Sequence, residues 1–336
     1  MTDATVTAAG QDATGEKKEM VDVFTDEGIG AAAGANPVGY ALAQLGDADE
    51  SVVTLSADMS GPLGDFRARH GDRYFEFGIA ETNAVGVAAG MAAAGLIPYV
   101  VSMAPFGLIK TAEQVRTDWV YNRLKIRMVA RLSGLAMGFF GPSHQAIEDI
   151  AVARAIDGLD IVTPADANSA IGLLHSTFDI DGPIFIRICE GLPPVYDRPP
   201  RIERGRWPTV KEGSHVTIIG NGVGTGLGLQ AAKLLEGEGI SVGVIDSAWL
   251  RPYDEKAILD AAASTGKILV VEEHSIVGGV TALVAEVLGR NGVTARLADQ
   301  AIPAGEIEVG VPAELLRHYG FTAENVASKV RNLAKA

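Results

Sequence analysis

An alternation constrains this chain more than any other feature. Short apolar, β-branched runs are followed by stretches of helical spacing, first over residues 37–188 and again over residues 215–297. Parallel sheets impose this order, because a crossover between parallel strands needs about a helix's length of chain. The spacing predicts strands over Val52–Ser56, 98–103, 127–132, 161–163 and 184–188, with helices near 37–45, 82–95, 112–123, 146–156 and 168–178. Pro193, Pro194, Pro199, Pro200 and Pro208 then interrupt the pattern with a stretch suited to neither helix nor strand. After it, strands are expected over 215–220, 241–246, 267–272 and 293–297, with helices near 227–235, from Asp254 and from Gly279. The expected fold class is α/β with two doubly wound domains. Residues 1–30 lack periodicity and are expected to be a disordered tail; 31–192 form the first domain, 193–212 a linker and 213–336 the second domain.

Charge and composition exclude several functions. A formal net charge of −14 speaks against nucleic acid or an anionic membrane surface, which would need a basic patch. Cys189 is the single cysteine, so no internal disulfide forms, and the six histidines have no metal-ligand spacing. No apolar run reaches the roughly 18 residues of a membrane helix, the N-terminus is polar, and a cytoplasmic location is expected.

Two segments carry candidate chemistry. In Asp72-Arg-Tyr-Phe-Glu-Phe-Gly-Ile-Ala-Glu81-Thr-Asn, Glu81 stands at a turn after a strand, before a helix made almost wholly of Ala, Gly, Val and Met. Such small residues allow close approach of a neighbouring backbone, as in a subunit interface. The positive helix end favours the Glu81 carboxylate while apolar walls raise its proton affinity, a balance suited to sharing a proton with a heterocycle. Simple complementation of the helix dipole is an equally good account of the segment by itself. In Gly141-Pro-Ser-His144-Gln, a histidine just before a helix can present its ring to a cleft, or serve only structure.

The run Gly220-Asn-Gly-Val-Gly-Thr-Gly-Leu-Gly invites a dinucleotide-binding reading. The fingerprint needs a sixth-position glycine, whereas that position is Thr225 counted from Gly220 and Leu227 counted from Gly222. A tight strand-to-helix turn without ligand is expected instead.

Taken together, the segments resemble the transketolase family. Ser56-Ala-Asp58-Met, Phe77-Gly-Ile-Ala-Glu81, Phe106 with Glu113-Gln-Val-Arg116, Gly141-Pro-Ser-His144-Gln, Glu148-Asp149 and Thr163-Pro-Ala-Asp-Ala-Asn168 follow the order of its pyrimidine-binding domain. Gly220-Asn-Gly222, Leu250-Arg-Pro252, Glu272-Glu-His274 and Gly278-Gly279 are similar to its C-terminal domain. The resemblance implies thiamine diphosphate, with Asp58, Ile79, Glu81 and Phe106 on its pyrimidine side. It implies that Glu81 hydrogen-bonds the pyrimidine nitrogen, Phe106 stacks on the ring, and His144 bonds the donor substrate near its reacting carbonyl.

Family members also hold the diphosphate through Mg²⁺ in a domain marked by Gly-Asp-Gly and a later Asn, and this sequence has no such motif. The resemblance therefore implies one half of a split enzyme, with the diphosphate and Mg²⁺ held by a separate N-terminal-section subunit in a heterotetramer. The E1 β subunit of 2-oxoacid dehydrogenases shares this plan, and a non-catalytic structural subunit is a third possibility. The retained Glu81, Phe106 and His144 argue against the last.

The substrate side departs from the pattern. Family members carry Glu-Asp before the Gly-Pro-Thr-His motif, where this chain has Phe139 and Phe140. The position of a phosphate-binding histidine is Leu132, beside Arg131, and expected arginines fall near Ala35 and near Cys189 or Glu190. Thr82 replaces a usual Gln or His, and Ile109 and Ala112 replace aromatics. Few groups remain that bind a phosphate, so the expected pocket, with Leu132, Phe139 and Phe140, is not that of an ordinary sugar phosphate. A shift in alignment, or phosphate groups supplied by the partner, is the alternative.

Overall fold

The computed structural model describes residues 9–11, 17–19, 36–189, 191 and 193–335. Within the expected tail, β1 (Ala9–Gln11) pairs antiparallel with β2 (Lys17–Glu19). Helix α1 (Pro37–Ala48) opens the first unit. Proline fits its first turn, where no amide partner is needed, and the Asn36 side chain caps it by accepting from the Gly39 N–H at 3.1 Å.

The first sheet holds seven strands in the order β12–β7–β8–β6–β5–β3–β4. Its parallel strands are β3 (Val52–Ser56), β4 (Tyr74–Glu76), β5 (Ile97–Met103), β6 (Arg127–Arg131), β7 (Asp160–Val162) and β8 (Ile184–Arg187). The crossovers include α2 (Gly64–Arg69), α3 (Glu81–Ala93), α4 (Asp149–Ala155) and α5 (Ala167–Ser176). β3, β7 and β8 are buried along their whole length, which is why they read as continuous apolar runs. The helix expected near 112–123 starts earlier and is wider: Pro105–Ile109 and Val115–Val120 are π-wound around the turn Ala112–Gln114.

The second sheet runs β14–β13–β10–β11–β9. It comprises β9 (Thr209–Lys211), β10 (Val216–Asn221), β11 (Val242–Asp246), β13 (Lys267–Ser275) and β14 (Arg296–Ile302). Helices α6 (Val223–Glu236), α7 (Glu255–Thr265) and α8 (Val280–Arg290) connect these strands, and α9 (Pro312–His318) and α10 (Ala323–Lys335) follow them. The last strand lies later than the expected 293–297, because Arg296, Asp299 and Gln300 mask an edge strand whose register is set by pairing with β13. Between β10 and α6, Gly222 adopts φ 53°, and an added Cβ at Gly224 would meet the Val271 carbonyl at 1.9 Å. The glycine run thus makes the turn and brings α6 onto the sheet.

The two units interlock. β12 (Trp249–Arg251) leaves the second half of the chain to pair antiparallel with β7, which closes an edge of the first sheet. The proline-rich stretch is held as it passes: the Asp166 carboxylate accepts the Val195 and Tyr196 N–H groups at 2.8 Å, and Arg204 pairs with Asp160 at 2.6 Å. Beneath the junction lies a buried ionic cluster. Arg187 donates to Asp149 at 2.8 Å and to the Glu273 carbonyl at 2.9 Å, and the Leu135 N–H donates to the Glu273 carboxyl at 2.7 Å. Burial pushes Glu273 up to about 7 and His274 down to about 4, while Asp149 outweighs burial at Arg187 and keeps its guanidinium ionised. Among the described residues no helix is long and apolar enough to cross a membrane.

Candidate functional site

Four neighbouring strands place the candidate residues at one end of the first sheet. Leu132 follows β6, Phe106 follows β5, Asp58 follows β3, and Ile79 and Glu81 follow β4, in the spatial order of the strands. Loops beyond the carboxyl ends of parallel strands are where open α/β sheets collect ligands.

Glu81 is the first residue of α3 and is only 2% exposed. Its carboxylate accepts from Lys110 Nζ at 2.8 Å, and that ammonium lies 6.0 Å from the Phe106 ring centroid. The lysine side chain is 46% exposed, so it comes to the buried carboxylate from the solvent side. The loop leading to Glu81 is shaped by Glu76, whose carboxylate accepts N–H groups of Gly78 at 2.8 Å and Asp58 at 3.2 Å and the Tyr74 hydroxyl at 2.6 Å. Burial alone would raise the Glu76 pKa, but hydrogen bonds from Ser56, Tyr74 and these amides outweigh it and hold the carboxyl below its ordinary value. Asp58 is exposed with φ 57°, and Ile79 is 78% exposed at the rim.

His144 joins this group through its ring. It stands edge-on to Phe106 at 5.0 Å and 87°, and against Phe140 at 4.6 Å; Phe140 in turn lies 4.6 Å from Phe139. Ser143 Oγ lies 2.9 Å from His144 Nδ1, which fixes the ring and leaves Nε2 for a ligand. Phe139 and Phe140 are exposed, whereas Leu132 is half-buried with φ 55° at the end of β6. Of the expected arginine positions, Cys189 is buried, while Ala35 and Glu190 lie outside the described residues.

Sequence reading missed Lys110, Glu76 and Gln145. Lys110 sits five residues after Pro105 in a π-turn, a winding that leaves no mark in hydrophobic spacing. Gln145 is buried and donates from Nε2 to the Glu308 carbonyl in the second half at 2.8 Å, a long-range contact with no local signal.

Residues 32–194 match the transketolase pyrimidine-binding domain and residues 205–326 the transketolase C-terminal domain. One of the two subunits of an apulose-4-phosphate transketolase from Phocaeicola vulgatus is 33% identical over 298 residues, covering 88% of this chain and 95% of that protein. This chain belongs to the transketolase family. A 6-deoxy-6-sulfo-D-fructose transketolase subunit from a Clostridium species is 30% identical, covering 85% and 89% of the two chains. A solved structure described as a split-gene transketolase in an inactive β4 tetramer superposes with a TM-score of 0.82 at 35% identity, covering 89% of this chain and 97% of that one.

Transketolase membership implies thiamine diphosphate. The residues present fit its pyrimidine ring: a buried carboxylate at a helix start and a half-buried aromatic face are close enough for one ammonium to reach both. Among the described residues no group of three or more His, Cys, Asp or Glu could hold a metal ion.

Proposed function

We propose that this chain is the pyrimidine-binding subunit of a two-chain, thiamine-diphosphate-dependent transferase, moving a two-carbon ketol or acyl unit between a donor and an acceptor. The observation that carries the reading is Glu81, buried at the start of α3 within reach of Phe106 and His144. Bound thiamine diphosphate supplies the nucleophilic carbon. Glu81 holds or gives a proton at the pyrimidine nitrogen, and low exposure keeps water from that proton. Phe106 offers its face to the ring. His144, oriented by Ser143, presents a nitrogen to the donor's oxygens.

A second chain carrying Gly-Asp-Gly would hold the diphosphate and Mg²⁺, and two copies of each would make a heterotetramer in the cytoplasm. Subunit names among the relatives support this, as does the outer face of α3, where Gly86, Gly90 and Ala93 are exposed and leave room for close approach. The substrate would not be an ordinary sugar phosphate. Phe140 cannot read a hydroxyl, and Leu132 cannot bind phosphate. The test compares the chain alone and the co-purified two-chain complex, each with thiamine diphosphate and Mg²⁺. Turnover by the complex and none by the chain alone is expected; tight cofactor binding and turnover by the isolated chain would refute the split enzyme.

A further inference from the structure

Phe139 and Phe140 do not line the site alone. Their segment is tied to residues 308–311 of the second half at three points. The Gly310 N–H donates to the Gly138 carbonyl at 3.2 Å, Gln145 Nε2 donates to the Glu308 carbonyl at 2.8 Å, and the Val309 side chain lies over Gly141, where an added Cβ would sit 3.0 Å from Val309 Cγ2. The apolar side chains brought to this place are open to solvent: Phe139 by 51%, Phe140 by 55%, Val309 by 60% and Val311 by 55%. The patch continues the ring row, since Phe140 abuts His144 and His144 abuts Phe106. Residues 133–147 contain no charged side chain, and residues 303–311 contain only Glu306 and Glu308, both exposed. A surface with carboxylates and no cation repels a phosphate and favours an apolar group.

We propose that Phe139, Phe140, Val309 and Val311 form a shelf at the mouth of the His144 site. It holds the hydrophobic, non-reacting end of an acceptor aldehyde or ketone, so the C-terminal half takes part in substrate choice. The assignment of an acceptor rests on the ketol-transfer reading; the affinity of the shelf for an apolar chain does not.

Two measurements test it. In the first, 1-butanol, 1-hexanol and 1-octanol are titrated into the full chain while the Val309 and Val311 methyl resonances are followed. Binding should tighten about fourfold per added methylene and be lost in the Val309→Asp/Val311→Asp double variant. Equal affinities for the three alcohols, or unchanged binding in the variant, would overturn the shelf. In the second, kcat/KM of the assembled enzyme is measured for straight-chain aldehyde acceptors from propanal to octanal. It should rise with chain length, and the double variant should flatten the series. A flat wild-type series beside good turnover of glycolaldehyde overturns the shelf alone. Length-dependent alcohol binding with no turnover of any aldehyde overturns the ketol-transfer reading and leaves the shelf's binding role standing. Loss of the alcohol response on assembly, with failure of the double variant to assemble, would make the patch a subunit contact and also overturn the proposal.

Discussion

Lys110 Nζ lies 2.8 Å from Glu81 Oε2, and the two side chains differ sharply in exposure, 46% against 3%. The carboxylate is fixed by the fold, while the ammonium sits on a long, half-solvated side chain that can leave at little cost. A ligand ring bonded to Glu81 and stacked on Phe106 would compete with the lysine for that place.

Replacing Glu81 with Gln keeps the shape but removes the proton. Activity of the assembled enzyme should fall by about 10²-fold or more, with the complex still forming on size-exclusion chromatography. An unchanged rate would remove Glu81 from its role. Lys110→Met should cost about 1 kcal/mol of stability at most, since the pair is half exposed, lowering the midpoint of thermal unfolding by a few degrees.

His144 touches ring neighbours on two sides, so His144→Ala should loosen Phe106 and Phe140 slightly while removing the polar nitrogen. The donor half-reaction, followed in a single turnover, is expected to slow by about 10²-fold or more, with cofactor affinity changed less than about threefold. Equal losses in both would mark a structural histidine.

The Arg187–Asp149 pair is almost wholly buried, at 1% and 0% exposure. Asp149→Ala would leave a guanidinium in the interior without its carboxylate, a change expected to destabilise by about 3–5 kcal/mol. Urea unfolding of the full chain measures it. A loss below about 1 kcal/mol would mean that solvent reaches the junction.

Glu273 gives a pH signature. Its folded pKa of about 7 lies above the ordinary value of 4.5, so the native state retains a proton that the unfolded chain releases. That contribution to stability is complete below about 4.5 and is lost as pH rises through about 7. His274 acts in the opposite direction, with stability lost as pH falls from 6.5 towards 4. Comparison with Glu273→Gln isolates the first effect: the advantage of the native protein over the variant should shrink between pH 5 and pH 7.5, read from urea midpoints. A constant difference would contradict the assignment.

Much of the architecture was legible because strand and helix periods are local properties of a sequence. The alternation placed the buried strands Val52–Ser56 and Ile184–Arg187, and the small residues after Glu81 marked α3 and its start. Polar edge strands were harder: Arg296–Ile302 and Trp249–Arg251 carry charged residues, and their pairing is fixed by a neighbour distant in sequence. The amphipathic α10 did carry a pattern, with Val326, Ala327 and Val330 on its buried face.

The sequence by itself determined the family, the two units and the identity of Glu81, Phe106 and His144, because motif order and periodicity need no knowledge of contacts. Only the tertiary structure decided what those residues meet. The ammonium on Glu81 comes from 29 residues away, and Gln145 bonds a carbonyl 163 residues away. Val309 covers Gly141 because residues 308–311 pack against the segment that follows β6. Such meetings depend on how packed elements fill space together, a property of the whole chain that no single stretch of residues encodes.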